Sequence, residues 1–358
     1  MKKYVFIVPS LASGGAERAV ANFASGLVSQ EEQVTIVIYF RMKDEYPVDE
    51  RVRVINLSGG DMYTYERIGY LKKVGTLRKI IKGEQPDYIL PFLGQVCFHT
   101  ALACFDMHGK VINTIRINPA MGPSNKWIRK LRDYIIVHSW KTIVQNEDQK
   151  HYFPKSCQER IYVLRNAVNS SLFSIERKTE NQRYRIVALG RLEDQKNYPL
   201  LINAIQEVVQ NRQDIVVEIY GDGARRESLN EQIETCGLEN YVHLMGRTSN
   251  VNSVYEKADL YILSSDYEGM PNTLIEAMAA GVPAISTNCP TGPADIIKNH
   301  ENGLLVPVND VKSLANAIVY MMEHKEHSES MGRAGRETIK EKCSIERIVD
   351  ELRSICEA

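Results

Sequence analysis

Short apolar runs alternate with amphipathic stretches from one end of the chain to the other. Strand-like and helix-like segments in strict alternation predict parallel sheets covered by helices. "YVFIVPS" reads as a strand, "SGG" as a tight loop, residues 16 to 28 as a helix with Val20, Phe23, Ala24 and Leu27 on one face, and "QVTIVIYF" as the next strand. Further strands are expected at "VRVINL", "DYILPF", "VINTIRI", "TIVQN" and "RIYVLRN". A polar, aperiodic segment, "VNSSLFSIERKTENQR", then interrupts the pattern, and the cycle restarts with "YRIVALG", "DIVVEIYGDG", "YVHLMG", "DLYILSS", "PAISTN" and "GLLVP". Helices are expected from about residue 197, near 225 to 236, and from about 311 onward.

This division predicts an α/β chain of two doubly wound, Rossmann-like domains facing an interdomain cleft. Residues 1–167 form the first domain, 168–183 the linker and 184–340 the second, and 341–358 are a helix expected to pack back on the first. A length of 358 residues suits two cores better than one. Strand ends face such a cleft, and interdomain clefts are favoured ligand sites.

Composition narrows the class. Apolar content of 44% with 25% charged is that of a soluble globular protein, and no apolar run approaches the roughly 18 residues that span a bilayer. "YVFIV" is too short for the core of a secretion signal. Seven cysteines without paired metal-type spacing point to free thiols in a reducing compartment, so a cytoplasmic location is expected.

The net charge of -1 conceals an asymmetry: residues 1–170 hold 24 Lys and Arg against 16 Asp and Glu, and the remainder hold 20 against 29. Much of the excess lies in "YERIGYLKKVGTLRKIIKG" and "KWIRKLRDY", where Arg67, Lys72, Lys73, Arg78, Lys79, Lys82, Lys126, Arg129, Lys130 and Arg132 mix with aromatic and aliphatic residues. Such surfaces lie on anionic lipid or are solvated helix faces, and both readings stand. No nucleic-acid partner is expected.

Candidate chemistry sits where strands pass into helices. "SLASGGAER" places Ser13, Gly14 and Gly15 where a ligand can approach the backbone, although a plain tight turn explains them equally. "ALGRLEDQKN" puts Gly190, Arg191 and Lys196 past a strand end, two cations suited to a pyrophosphate. "YGDGARRE" and "MGRTSNV", with Gly246 and Arg247, repeat the arrangement. "EGMPNTLIE" holds Glu268 outside any helix cap, at the edge where open α/β sheets bind ligands. Thr273 and Glu276 fit the S/T-x-x-E capping box, which gives Glu276 a structural reading as well as a binding one.

"EGMPNTLIE" also matches the E-x7-E motif of retaining GT-B glycosyltransferases of family 4, which the chain resembles further at "GGAER", "LRNAVN", "GRLEDQKN" and "GDG". The resemblance covers nearly the whole chain and is greatest to bacterial enzymes that build lipid-linked glycans, O-antigens and capsules. It implies that Glu268 holds hydroxyls of the transferred sugar, that Glu276 holds the ribose, and that Arg191 and Lys196 neutralise the diphosphate. Backbone around Gly190, Gly269, Met270, Pro271, Asn272, Thr273 and Leu274 would cradle the donor, Gly14 and Gly15 would approach its diphosphate, and Arg247 would flank the base.

The implied activity is metal-independent, retaining transfer of a hexose or N-acetylhexosamine from a nucleotide sugar, expected to be a UDP-sugar, to a hydroxyl of a lipid-linked glycan. No cofactor is expected. Asp266-x-Glu268 imitates an acidic metal pair, but no third ligand is evident and the two cations already supply charge. Relatives place a histidine where this chain has Arg116 in "TIRINP"; an arginine is no base at neutral pH, so Arg116 is a candidate acceptor or phosphate contact. His99, His138 and His151 read as structural. A UDP-sugar 2-epimerase-like enzyme and a non-catalytic sugar-nucleotide-binding protein remain alternatives, whereas a nicotinamide dehydrogenase lacks its fingerprint.

Overall fold

The computed structural model describes every residue except 13, 93 and 179–181, and every side chain of the rest except that of His108. The chain forms two compact units, Met1–Ala167 with Ile345–Ala358, and Val168–Ser344.

Unit 1 contains strands β1 (Lys3–Val8), β2 (Gln33–Ile38), β3 (Arg53–Asn56), β4 (Tyr88–Pro91), β5 (Ile112–Thr114), β6 (Lys141–Val144) and β7 (Ile161–Val163). They pair in parallel as β3-β2-β1-β4 and β5-β6-β7, and a parallel bridge between Ile89 and Val111 joins the two groups. Every strand sits where an apolar run was expected, because strands covered on both faces are mostly apolar. The helix Gly15–Ser29 turns Val20, Phe23, Ala24 and Leu27 into the core, with the Phe23 ring 6.5 Å from that of Phe6 and 6.2 Å from that of Phe92.

The last helix, Ile345–Glu357, completes this core by burying Ile348, Val349, Leu352, Ile355 and Cys356. It fits because Gly26 has no side chain: a Cβ there would stand 2.6 Å from Val349 Cγ2. Buried Lys141 donates from Nζ to the Ile355 carbonyl at 2.7 Å, satisfying a helix-end acceptor. Arg353 pairs with buried Glu32 at 3.2 Å.

Unit 2 contains β8 (Tyr184–Leu189), β9 (Ile215–Tyr220), β10 (Val242–Gly246), β11 (Leu260–Leu263), β12 (Ala284–Thr287) and β13 (Leu304–Val306). They form one parallel sheet in the order β10-β9-β8-β11-β12-β13. The order reverses between β8 and β11. Loops leaving those two strands therefore diverge to opposite faces and open a crevice at the strands' carboxyl ends.

Residues 168–183, expected to link the units, sit with unit 2 as far as they are described. Val168 and Leu172 enter its core, and Arg177 bonds the carbonyls of Ala258 and Gly281 and pairs with Glu329 at 2.8 Å.

Candidate active site

The crevice between β8 and β11 is built from two loops. After β8 the chain passes through Gly190 and Arg191 into the short turn Asp194–Lys196, and Asn197 caps the helix Tyr198–Val208. Asn197 has the left-handed φ of 44° and accepts from the Leu200 N–H at 3.3 Å. After β11 the chain runs from Ser264 to Pro271 and enters the helix Asn272–Ala279.

The two loops meet through side chains. Lys196 Nζ lies 2.7 Å from Glu268 Oε1, with only 14% and 7% of the two side chains exposed. Ser265 donates to the same carboxylate oxygen at 2.6 Å, and the Gln195 amide reaches Glu268 Oε2 at 3.5 Å. A buried carboxylate held by a cation and a hydroxyl avoids the cost of an unpaired charge. The loops also join through their backbones: the Asp266 N–H donates to the Gln195 carbonyl at 2.9 Å, and Gln195 Nε2 donates to the Tyr267 carbonyl at 2.9 Å. Asp266 turns away from Glu268 and accepts from Asn197 Nδ2 at 2.7 Å.

Two glycines sit at close approaches, and Gly221 is required by the backbone it meets. A Cβ on Gly190 would lie 2.8 Å from Lys196 Cε, so its absence lets the lysine stem cross the backbone; a Cβ on Gly221 would lie 1.8 Å from the Gly190 carbonyl oxygen. The Tyr198 hydroxyl, buried beside Gly190, has no hydrogen-bond partner among the described residues. Burial, and then the charge of Glu268, raise its pKa. The same two causes push the Cys289 thiol up to about 12.

The helix Asn272–Ala279 does not start with the expected capping box. Pro271 occupies the N-cap and offers no side-chain cap, so Thr273 lies inside the first turn. Its hydroxyl donates to the Leu189 carbonyl at 3.2 Å and receives the Tyr261 hydroxyl at 2.7 Å, tying the helix start to the end of β8. Glu276 is buried, with the Tyr255 hydroxyl 3.3 Å from its Oε2. The Leu274 N–H donates to the Pro271 carbonyl at 3.1 Å. Arg191 points outward, with 64% of its side chain exposed, and pairs with Glu193 at 3.1 Å; Arg247 is exposed after β10.

The remaining expected positions are in unit 1. Gly14 is the N-cap of the helix Gly15–Ser29, and a Cβ on it would stand 1.9 Å from Glu17 Oε2, so an internal carboxylate already lies at that helix start. Ser13 lies outside the described residues. Arg116 donates from Nη1 to Asn166 Oδ1 at 3.0 Å and lies over the rings of Phe92 and Phe23, at 4.7 and 5.4 Å. Its Nε and Nη2 find no hydrogen-bond partner among the described residues, and burial pushes its pKa down to about 9. His99 is buried with Nδ1 3.0 Å from the Tyr39 hydroxyl.

Comparison with known proteins bears on this geometry. A family model described as "Glycosyltransferase Family 4" matches residues 13–172, and one described as "Glycosyl transferases group 1" matches 172–338. The chain is 30% identical over 322 residues to a Campylobacter jejuni GalNAc-alpha-(1->4)-GalNAc-alpha-(1->3)-diNAcBac-PP-undecaprenol alpha-1,4-N-acetyl-D-galactosaminyltransferase, covering 89% of this chain and 88% of that one. The chain belongs to the GT-B glycosyltransferases. An uncharacterized glycosyltransferase of Haemophilus influenzae is 25% identical over 99% of this chain and its own full length. The fold is also that of Anabaena HepE in complex with UDP and glucose, with a TM-score of 0.84 at 15% identity over the whole of both chains. Sucrose-phosphate synthase from Thermosynechococcus elongatus gives 0.84 at 17%, over 100% of this chain and 98% of that one.

For this glycosyltransferase, sequence reasoning singled out Lys196 and Glu268 but not the residues that hold them. Gln195 lies inside the quoted "GRLEDQKN" without being singled out, Ser265, Tyr198, Tyr255 and Tyr261 belong to none of the quoted motifs, and only folding brings them to the crevice. The basic stretches also need correction. Arg132 is buried and bonds the carbonyls of Pro119 and Gly122, while Arg78 pairs with Asp106 and bonds the Ala103 carbonyl, so neither contributes a free cation to a surface. No helix among the described residues is long and apolar enough to cross a membrane.

Proposed function

We propose that this glycosyltransferase moves a hexose or N-acetylhexosamine, with retention, from a UDP-sugar to a hydroxyl of a lipid-linked glycan. The observation that carries the reading is the buried Lys196–Glu268 pair spanning the two loops of the β8/β11 crevice. A cation and a carboxylate in contact suit a ligand whose phosphate adjoins a polyhydroxylated ring. In this reading Glu268 accepts from sugar hydroxyls, Lys196 and Arg191 face the diphosphate, the start of the helix Asn272–Ala279 lends its positive end, and Glu276 takes the ribose. The UDP and glucose in the HepE structure and the lipid-linked acceptor in the Campylobacter enzyme's name support the same choice.

Transfer breaks the bond between C1 and the donor diphosphate and forms a bond from the acceptor oxygen to C1 on the same face. The acceptor proton passes to a phosphate oxygen. Negative charge develops on the leaving diphosphate, and cations fixed beside it lower that barrier without needing a metal ion. Arg116, an enclosed cation with no carboxylate partner among the described residues, is assigned to an anionic group of the substrate.

The helix Lys126–Val137 supports contact with an anionic membrane. Trp127, Leu131 and Tyr134 are 77%, 52% and 63% exposed at helical spacing, with Lys126 and Lys130 beside them. Exposed aromatic and aliphatic side chains flanked by cations match an interfacial helix.

The test is a panel of UDP-, GDP-, ADP- and dTDP-sugars with a diphosphate-lipid-linked glycan, following nucleotide release, product anomer and sensitivity to chelator. Acceptor-dependent release from a UDP-hexose or UDP-N-acetylhexosamine, an α-product from an α-donor, and persistence in chelator are expected. Isomerised sugar formed without acceptor contradicts the reading.

A further inference from the structure

Glu268 is gripped through its backbone as well as its carboxylate. Its N–H donates to the Pro290 carbonyl at 3.2 Å, and the Thr291 hydroxyl donates to the Glu268 carbonyl. Gly292 then lies against the same loop: a Cβ there would stand 2.8 Å from Pro271 Cδ and 3.3 Å from the Gly269 carbonyl oxygen. The loop after β12 thus clamps the Glu268–Pro271 segment, while Gln195 holds the preceding residues Asp266 and Tyr267.

The clamp residue is in an unfavourable conformation. Thr291 has φ of 63°, in the left-handed region that β-branched residues avoid. Glycine or asparagine would take that turn with less strain. Threonine supplies what glycine lacks, a hydroxyl, and that hydroxyl ends on the carbonyl of the residue whose carboxylate meets Lys196. The peptide it holds is followed by Gly269, which offers little steric resistance to rotation of that peptide plane. Strained backbone that persists at a ligand site is a marker of positioning.

We propose that Thr291 is a positioning residue for sugar recognition: its hydroxyl, presented from a left-handed backbone, fixes the Glu268–Gly269 peptide and hence the direction of the Glu268 side chain. The inference rests on the reading that Glu268 binds the transferred sugar. It separates two affinities, since in that reading the Glu268 carboxylate holds the sugar while Glu276 takes the ribose.

The test compares Thr291→Val, which keeps shape and branching but loses the hydroxyl, with Thr291→Ser, which keeps the hydroxyl, in the full chain. The donor is the nucleotide sugar that stabilises the wild type most, and its parent nucleotide is the control. Thr291→Val is expected to bind the parent nucleotide as the wild type does, to bind the nucleotide sugar about tenfold more weakly, and to lose about a hundredfold in kcat. Thr291→Ser restores both to near wild type. In a crystal structure of ligand-free Thr291→Val the Glu268 carbonyl is turned from its wild-type direction.

An unturned carbonyl overturns the proposal, as does a serine variant no better than valine, or equal losses for nucleotide and nucleotide sugar alongside a lowered Tm. A wild-type protein that binds no nucleotide sugar overturns the transferase reading itself, and that result is seen before any variant is made.

Discussion

Lys196 and Glu268, 72 residues apart in sequence, form a 2.7 Å ion pair that closes the floor of the β8/β11 crevice. Removing one member of a buried pair strands the other charge, which costs more than the pair contributes. Lys196→Met should therefore lower unfolding free energy by about 3 kcal/mol, and Lys196→Met/Glu268→Gln should recover more than half of that loss while transfer stays abolished. Urea denaturation of the single and double variants measures the coupling; strict additivity contradicts it.

Stability should fall on the alkaline side. Burial is the first cause that pushes the thiols of Cys97, Cys104, Cys289 and Cys356 up to about 12 from an ordinary 9. Between those values the unfolded chain has released these protons and the folded chain has kept them, so folding weakens as pH rises, by at most about 1.4 kcal/mol per thiol per pH unit. Arg116, pushed down to about 9, opposes this with one proton: the folded chain releases it while the unfolded chain holds it. Chemical denaturation from pH 7 to 10.5 should show little change from these groups below about 8 and a net decline above 9. A rise above 9 contradicts this balance.

Arg116 offers a separation of stability from activity. Its enclosed Nε and Nη2, which have no hydrogen-bond partner among the described residues, cost folding free energy, so Arg116→Met should raise stability by about 1 to 2 kcal/mol. If the cation meets an anionic group of the acceptor, the same variant loses transfer while nucleotide affinity stays unchanged; if it meets the donor diphosphate, both fall. Thermal unfolding and steady-state kinetics on one preparation decide; lower stability with full activity is the contrary outcome.

The exposed helix face predicts salt-sensitive binding to vesicles. Trp127→Ala/Leu131→Ala should weaken sedimentation with phosphatidylglycerol vesicles by about tenfold, and Lys126→Glu/Lys130→Glu should flatten its salt dependence. Arg132→Ala should instead lower Tm, because this arginine holds the carbonyls of Pro119 and Gly122 inside unit 1.

Strand positions were legible in the sequence because doubly covered parallel strands are mostly apolar, as the runs around Phe6, Ile36, Val187 and Ile262 show. The crevice was legible only in part. Glu268 and Lys196 stood out as charges at strand ends, but their contact depends on which strands are neighbours, and β8 and β11 are separated in sequence by β9 and β10. The capping-box pattern at Thr273 and Glu276 misled because Pro271 takes the N-cap and leaves the threonine two residues inside the helix, too deep to cap. Charges on amphipathic stretches were read as surface, yet Arg132 and Arg78 satisfy carbonyls, which composition cannot reveal. Polar composition likewise hid Val168 and Leu172, which anchor the segment expected to be a linker. Thr291 had no signal at all: its importance lies in a backbone angle.

A crystal structure of the protein with an intact UDP-sugar decides whether the Lys196–Glu268 crevice is the donor site. The sugar's hydroxyls are expected within hydrogen-bonding distance of the Glu268 carboxylate, and the diphosphate beside Lys196 Nζ, at the carboxyl ends of β8 and β11. A nucleotide sugar bound elsewhere, with the Lys196–Glu268 contact undisturbed, would contradict it.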